Sequence, residues 1–238
     1  MITEAILNFL ATNREPIKYN TEIDPVRPAD EFIHPSQFYQ CKRKQVYTIL
    51  LRDKINSGEI AEVMPTPETR LKFDVGTICH RYIQAILKRI YGDDFQAEVE
   101  TPKNEYNIYG HPDGILYYEE NLYLIEIKTI NDSGFKKLTL PAEPHFFQAM
   151  GYVLAWRNEE FPITKTIFLY FNKDKNIFKE SIIDYNDETT IEIITDDINN
   201  INNSVKTGNI TCERECNSKY DHKIGDYRCP FANICFET

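Results

Sequence analysis

No stretch of the 238 residues approaches the roughly 18 consecutive apolar side chains of a membrane span, so a membrane protein is not expected. The opening segment MITEAILNFL lacks a basic leader and carries Glu4, which argues against a secretion signal. Repeats and low-complexity tracts are missing as well. Positive charge is in deficit: 27 Lys and Arg stand against 37 Asp and Glu, a net charge of −10. Electrostatics alone therefore gives no reason to expect a nucleic-acid binder. What is present is a core: 42% of residues are hydrophobic and 13% aromatic, too much for a disordered chain. The length suits one large domain, or one domain with an appendage. The expected compartment is the cytoplasm (the host's, if the source is viral), and there six cysteines need a purpose other than disulfides.

Apolar periodicity predicts a short helix over Ile2 to Leu10 and a second over Pro35 to Lys54, capped by Ser36. A third spans 68–91, with Val75, Ile78, Tyr82, Ala85, Ile86 and Ile90 forming its stripe and Gly92 ending it. Strands follow over 95–101, 106–118 and 121–130, the last two joined by a tight turn at Glu119-Glu120-Asn121. A helix is expected from Pro144 to Trp156, then strands at 164–173 and 176–184, then a helix over 186–206 capped by Asp184 or Asp187. The order implies an α/β or α+β fold, a central mixed sheet flanked by helices. A Cys-rich cap would be built from both chain ends. Three segments result: an N-terminal helical region (1–66), a core (67–206) and a Cys-rich tail (207–238).

The chemistry concentrates in GHPDGILYYEENLYLIEIKT, residues 110–129. Side chains alternate along a strand, so Glu126 and Lys128 share a face. Asp113 precedes Glu126 by 13 residues, and a hairpin of that length brings the two carboxylates together. Adjacent carboxylates repel unless a cation bridges them, and oxygen ligands suit Mg²⁺ or Mn²⁺. Lys128 beside such an ion could orient water or contact phosphate. These are the parts of metal-assisted phosphodiester hydrolysis. His80 lies off the apolar stripe of its helix, on a face with Thr77 and Gln84, and could add a nitrogen ligand. Gln148 and Tyr152 share a helical face downstream.

In that order, His80, Asp113, Glu126-x-Lys128 and Gln148-x₃-Tyr152 resemble the PD-(D/E)XK nuclease superfamily, in its RecB-like branch with the CRISPR-associated exonucleases. The resemblance implies a restriction-endonuclease-like core. It implies His80, Asp113, Glu126 and the Ile127 carbonyl as ligands of Mg²⁺ or Mn²⁺, and Lys128 as the catalytic lysine. Gln148 and Tyr152 would lie near the DNA. His111, beside Pro112, is a rival imidazole ranked below His80.

The tail spacing C-x₃-C-x₁₂-C-x₅-C suits a Cys₄ zinc site, whereas one distant and three clustered cysteines suit an iron–sulfur cluster. The iron–sulfur nucleases that this chain resembles use the second arrangement, with a [4Fe–4S] cluster. Cys41 and the Cys229-Pro-Phe-x₃-Cys235 run match them, but Asp226 stands where that family has a cysteine. The implied ligands are Cys41, Cys216, Cys229 and Cys235, with Cys212 as substitute. Cys79 reads as a core residue.

Segregated charge is the remaining clue. Residues 181–200 hold six acidic residues and no Lys or Arg, whereas Lys42–Lys54, Lys88-Arg89 and Lys136-Lys137 are basic. A basic track near the site and an acidic outer helix are expected. Phe146, Phe147 and Tyr152 suit stacking on single-stranded bases or packing in the core. The expected function is a metal-dependent single-stranded DNA exonuclease. The rivals are a DNA-end processing nuclease working with a partner integrase in CRISPR adaptation, and a catalytically silent DNA-binding protein.

Overall fold

The computed structural model describes residues 1–22, 28–61, 65–158, 160, 162–185, 188–216 and 229–237, without the side chains of 188–190 and 237. Five strands make one sheet in chain order: β1 (Phe95–Ala97), β2 (Gly114–Tyr118), β3 (Asn121–Ile130), β4 (Lys165–Asn172) and β5 (Ile177–Asp184). All neighbours are antiparallel except β3 and β4, which run parallel. The helices are α1 (Ile2–Thr12), α2 (Lys42–Leu50), α3 (Arg52–Asn56), α4 (Pro67–Tyr91), α5 (Asp132–Lys137), α6 (Glu143–Ala155), α7 (Glu188–Thr207) and α8 (Ala232–Glu237). The fold is thus α/β with a mixed central sheet.

Residue parity on β3 sorts the core into two layers. Tyr123, Ile125 and Ile127 pack with Ile83, Ile86 and Leu87 of α4 and with Ile2 and Ile6 of α1. On the opposite face Leu124 joins Phe168 and Tyr170 of β4, Met150 and Val153 of α6, and Ile194 and Ile198 of α7. A strand covered on both faces reads as a near-continuous apolar run, and LYLIEI interrupts its run only at Glu126. The β2–β3 turn places Glu119 and Glu120 at positive φ (48° and 62°), the twist that a two-residue hairpin needs. Asn121 braces it by donating to the Glu119 carbonyl.

Helix α4 is bounded as its sequence dictates. Thr66 accepts from the Thr69 amide, Pro67 opens the first turn, and Gly92 closes the helix at φ 58°. Val75 is exposed, however, and the buried stripe runs through Ile83, Ile86 and Leu87, because only the C-terminal half of α4 lies on the sheet.

Other expectations are corrected. The helix over 35–54 breaks into a 3₁₀ turn at Pro35–Gln37, then α2, then α3, with no side-chain cap from Ser36. The break lets Phe38 lie against Gly151 of α6, where an added Cβ would stand 2.5 Å from the ring. Strand β1 ends at Ala97, since Glu98 takes a positive φ of 52°. Most of 98–113 is loop, because Asn104 Oδ1 accepts from the amides of Tyr106 and Ile108 and so competes with strand pairing. The helices α5 and α8 were not anticipated. Asp187 and Asp226 lie outside the described residues.

The expected charge segregation is also corrected. Lys42 of the basic α2 is 2.6 Å from Asp197 of the acidic α7, so the two helices face each other. Arg43 donates to the Cys212 carbonyl, and Lys88 and Lys136 pair with Asp93 and Asp132.

Gly114 allows the closest approach in the sheet. A Cβ there would run into the Phe95 ring, immediately beside Asp113. Gly114→Ala should therefore cost about 1–3 kcal/mol, read as a lower midpoint in chemical denaturation. An unchanged midpoint would mean that Phe95 can step aside freely.

Candidate active site

The β2–β3 register pairs Gly114 with Ile125, which sets Asp113 beside Glu126. Asp113 is fixed from two sides: Oδ2 accepts from the Ile127 amide at 2.7 Å, and Oδ1 lies 3.0 Å from His80 Nδ1. Gln84, one helical turn from His80, donates to the Asp113 carbonyl at 2.8 Å and to Glu98 at 2.7 Å. Burial works against the Asp113 charge, yet His80, Lys128 and the Ile127 amide hold its carboxyl below the usual value. Burial pulls the His80 imidazole down, and Asp113 outweighs it.

Glu126 differs. It is 1% exposed, and its Oε1 accepts no hydrogen bond. Its close partner is the Lys128 ammonium, 2.8 Å from Oε2 as an ion-pair contact. Burial pushes the Glu126 carboxyl up to about 7, Lys128 opposes this, and Asp113 adds to it. Burial likewise works against the Lys128 charge, but Glu126 and Asp113 prevail and hold the ammonium above its usual value. Lys128 also donates to Gln148 Oε1 at 2.9 Å. Tyr152, one turn along α6, donates to the His111 carbonyl at 3.0 Å and so ties α6 to the loop that leads into β2.

The structure therefore gathers His80, Asp113, Glu126, Lys128, Gln148 and Tyr152 at one end of the sheet. His111 turns towards Tyr109, with ring centroids 5.5 Å apart. Phe146 and Phe147 pack on the core instead of standing clear of it, and Tyr152 is 4% exposed. Sequence reasoning gave no role to Glu98, His145 or Tyr170. Glu98 is held by Gln84, and burial raises its carboxyl. Tyr170, the β4 partner of Lys128, accepts from the Ala142 amide and is hydrogen-bonded to His145 Nδ1, each at 3.0 Å. Burial and Lys128 pull His145 down to about 4. These residues lie on different elements, so no local pattern announces them.

Among the described residues no three His, Cys, Asp or Glu side chains close into a group that could hold a metal ion. His80 and Asp113 are bonded to each other, while Glu126 faces Lys128. The donor set still fits a divalent cation: Glu126 Oε1 is a buried oxygen that accepts no hydrogen bond, and it stands beside a second carboxylate and an imidazole.

In the cap, Tyr47 of α2 packs with Phe231 and Cys235 near the chain's end. Arg43 approaches Cys235 Sγ at 3.8 Å, and Arg214 donates to the Cys235 carbonyl. Burial raises the Cys229 thiol, and Cys41 and Cys235 add to the shift, so these three stand within electrostatic reach. Cys216 follows Glu215, which accepts from the Lys42 amide. Cys212 is buried in the main core beside Ser204. No disulfide joins the six cysteines, and Cys79 is half-buried.

Neither a family model nor a curated protein sequence matches this chain. Solved structures do. SSO0001 aligns with 98% of this chain and 93% of its own, at 20% identity and a TM-score of 0.51. An alkaline exonuclease (LHK-Exo) from Laribacter hongkongensis aligns with 75% of this chain and 89% of its own, at 13% identity and a TM-score of 0.54. The same exonuclease in complex with dAMP aligns over the same shares at 14% identity and a TM-score of 0.51. The chain thus shares its fold with an alkaline exonuclease, over a span that includes most of that protein.

Proposed function

We propose that this protein is a Mg²⁺- or Mn²⁺-dependent deoxyribonuclease, and that it acts as an exonuclease on single-stranded DNA in the RecB-like manner. The observation that carries this is the buried Glu126 carboxylate, whose Oε1 accepts no hydrogen bond, beside Asp113 and Lys128. The fold shared with an alkaline exonuclease supports it. His80, Asp113, Glu126 and the Ile127 carbonyl would hold the ion, whose chemistry is to polarise the scissile phosphate and acidify a bound water. The chain's own residues do the positioning. Lys128 keeps its ammonium charged and aimed by Glu126 and Gln148, where it can offset charge on a phosphate oxygen. Gln84 and Tyr152 hold the main chain on either side of Pro112, and so fix where Asp113 stands.

Purified protein should shorten an end-labelled single-stranded oligonucleotide in Mn²⁺ and leave it intact in EDTA. Equal, absent or EDTA-resistant cleavage would remove the reading. Among the described residues no helix is long and apolar enough to cross a membrane. The proposed place of action is the cytoplasm, with DNA as the partner.

For the cap the proposal is a [4Fe–4S] cluster on Cys41, Cys216, Cys229 and Cys235. The support is the sequence pattern of Cys41 with the Cys229-Pro-Phe-x₃-Cys235 run; among the described residues these thiols do not close into a metal-holding group. The cluster would staple α2 to the chain's end. Protein purified without oxygen should be brown and contain iron. Colourless protein with stoichiometric zinc would replace the cluster by a Cys₄ zinc site.

A further inference from the structure

A cleft of about 600 Å³ opens between α5 and the start of α6. It begins where the site ends. Ile130, on its wall, shares a face of β3 with Glu126 and Lys128, so the lining starts roughly 13 Å along the strand from Glu126. His145, also on the wall, stacks near Tyr170 at a centroid distance of 5.6 Å, and Tyr170 is the strand partner of Lys128. Site and cleft are therefore continuous through one layer of side chains.

The lining has two characters. Ile130, Leu138 and Pro141 offer apolar surface, while Lys137, Thr139, His145 and Glu143 offer a cation, a hydroxyl, an imidazole and, at the start of α6, a carboxylate able to accept from a base amino group. The His145 Nδ1 is engaged by Tyr170, which leaves Nε2 as the ring nitrogen for a new partner. An apolar slot with a few polar atoms matches a nucleobase, whose faces are apolar and whose edge carries donors and acceptors. Lysines and acids are interleaved at this end of the molecule, with Lys136 on Asp132 and Asp174 accepting from the Asp132 amide. Lys137 and Lys175 are exposed, and Lys173, whose amide bonds the Ile130 carbonyl, lies near Cys79 of α4. A cation beside a base slot suits the phosphate joined to that base.

We propose that this cleft receives the nucleobase of a nucleotide adjoining the scissile phosphate of a single DNA strand. The inference rests on the nuclease reading of the neighbouring site. It makes the enzyme grip the strand by an unpaired base, and duplex ends would enter only after fraying.

The test is a series of oligothymidylates carrying one abasic residue, moved stepwise away from the cleaved end, with KM and kcat measured in Mn²⁺. The wild-type KM should rise about tenfold or more when the abasic residue falls at the position adjoining the cleaved bond, with little change in kcat. Ala142→Phe, which fills the cleft, should raise KM for the intact strand by a similar factor and abolish the sensitivity to the abasic residue. Wild-type protein that cleaves with a KM indifferent to the abasic residue at every position overturns the base slot alone. Wild-type protein inert towards every strand overturns the nuclease reading and the slot together. The scan on the wild type decides the matter even if the filled variant folds poorly.

Discussion

Lys128→Met should lose cleavage by about 10²–10³-fold at saturating Mn²⁺ while the chain still folds and binds the ion. Methionine keeps much of the apolar stem and removes the charge. The ammonium it removes is 2.8 Å from Glu126 and 2.9 Å from Gln148, and the side chain is only 16% exposed. In so enclosed a place a fixed charge acts on a phosphate oxygen with little screening by water. The substitution also withdraws the ammonium beside Glu126, whose carboxyl then climbs above about 7 and competes with metal uptake. The comparison belongs above pH 8, where that competition is weakest. There a variant within a few-fold of wild type would take the lysine out of the reaction.

Glu126→Gln should abolish cleavage and change how stability responds to pH and to metal. In the folded protein this carboxyl is pushed up to about 7 from an ordinary value of 4.5. Between those values the native state holds a proton that the unfolded chain has released, so stability falls as pH rises. The loss begins near 4.5, is complete above 7, and is on the order of 3 kcal/mol. Thermal scans in EDTA from pH 5 to pH 8 should show this decline in the wild type and a flatter course in the variant. Adding Mn²⁺ at pH 8 should raise the wild-type midpoint, because binding to the native state alone stabilises it, and should leave the variant's nearly unmoved. Equal metal responses would place the ion elsewhere.

Much of this architecture can be read from local pattern, and the exceptions have physical causes. LYLIEIKT reads as a central strand because apolar side chains fill both faces. The Glu-Glu-Asn turn and the Gly92 stop carry their own backbone chemistry. Residues 132–137 escape notice because Ser and Gly hide a helix whose cap, Asn131, accepts from the Gly134 amide. The break after Gln37 is invisible because it depends on Phe38 meeting Gly151, far along the chain. At the site, alternation on β3 and hairpin length bring Asp113, Glu126 and Lys128 together. The supports around them, Gln84 with Glu98 and Tyr170 with His145, are tertiary contacts that no spacing rule supplies. Charge misleads most: the basic run of α2 spends Lys42 on α7 and Arg43 on the cap.

The parallel pairing of β3 with β4 bears on how the chain folds. Asp113, Glu126 and Lys128 belong to a hairpin closed by two residues, which can form early and locally. Gln148 and Tyr152 ride on the crossover that must close before β4 can align with β3. Closing that long loop has to precede the contacts that reward it. The acidic pair is thus joined by a local contact, whereas the amide and the phenol around the lysine depend on a long-range closure.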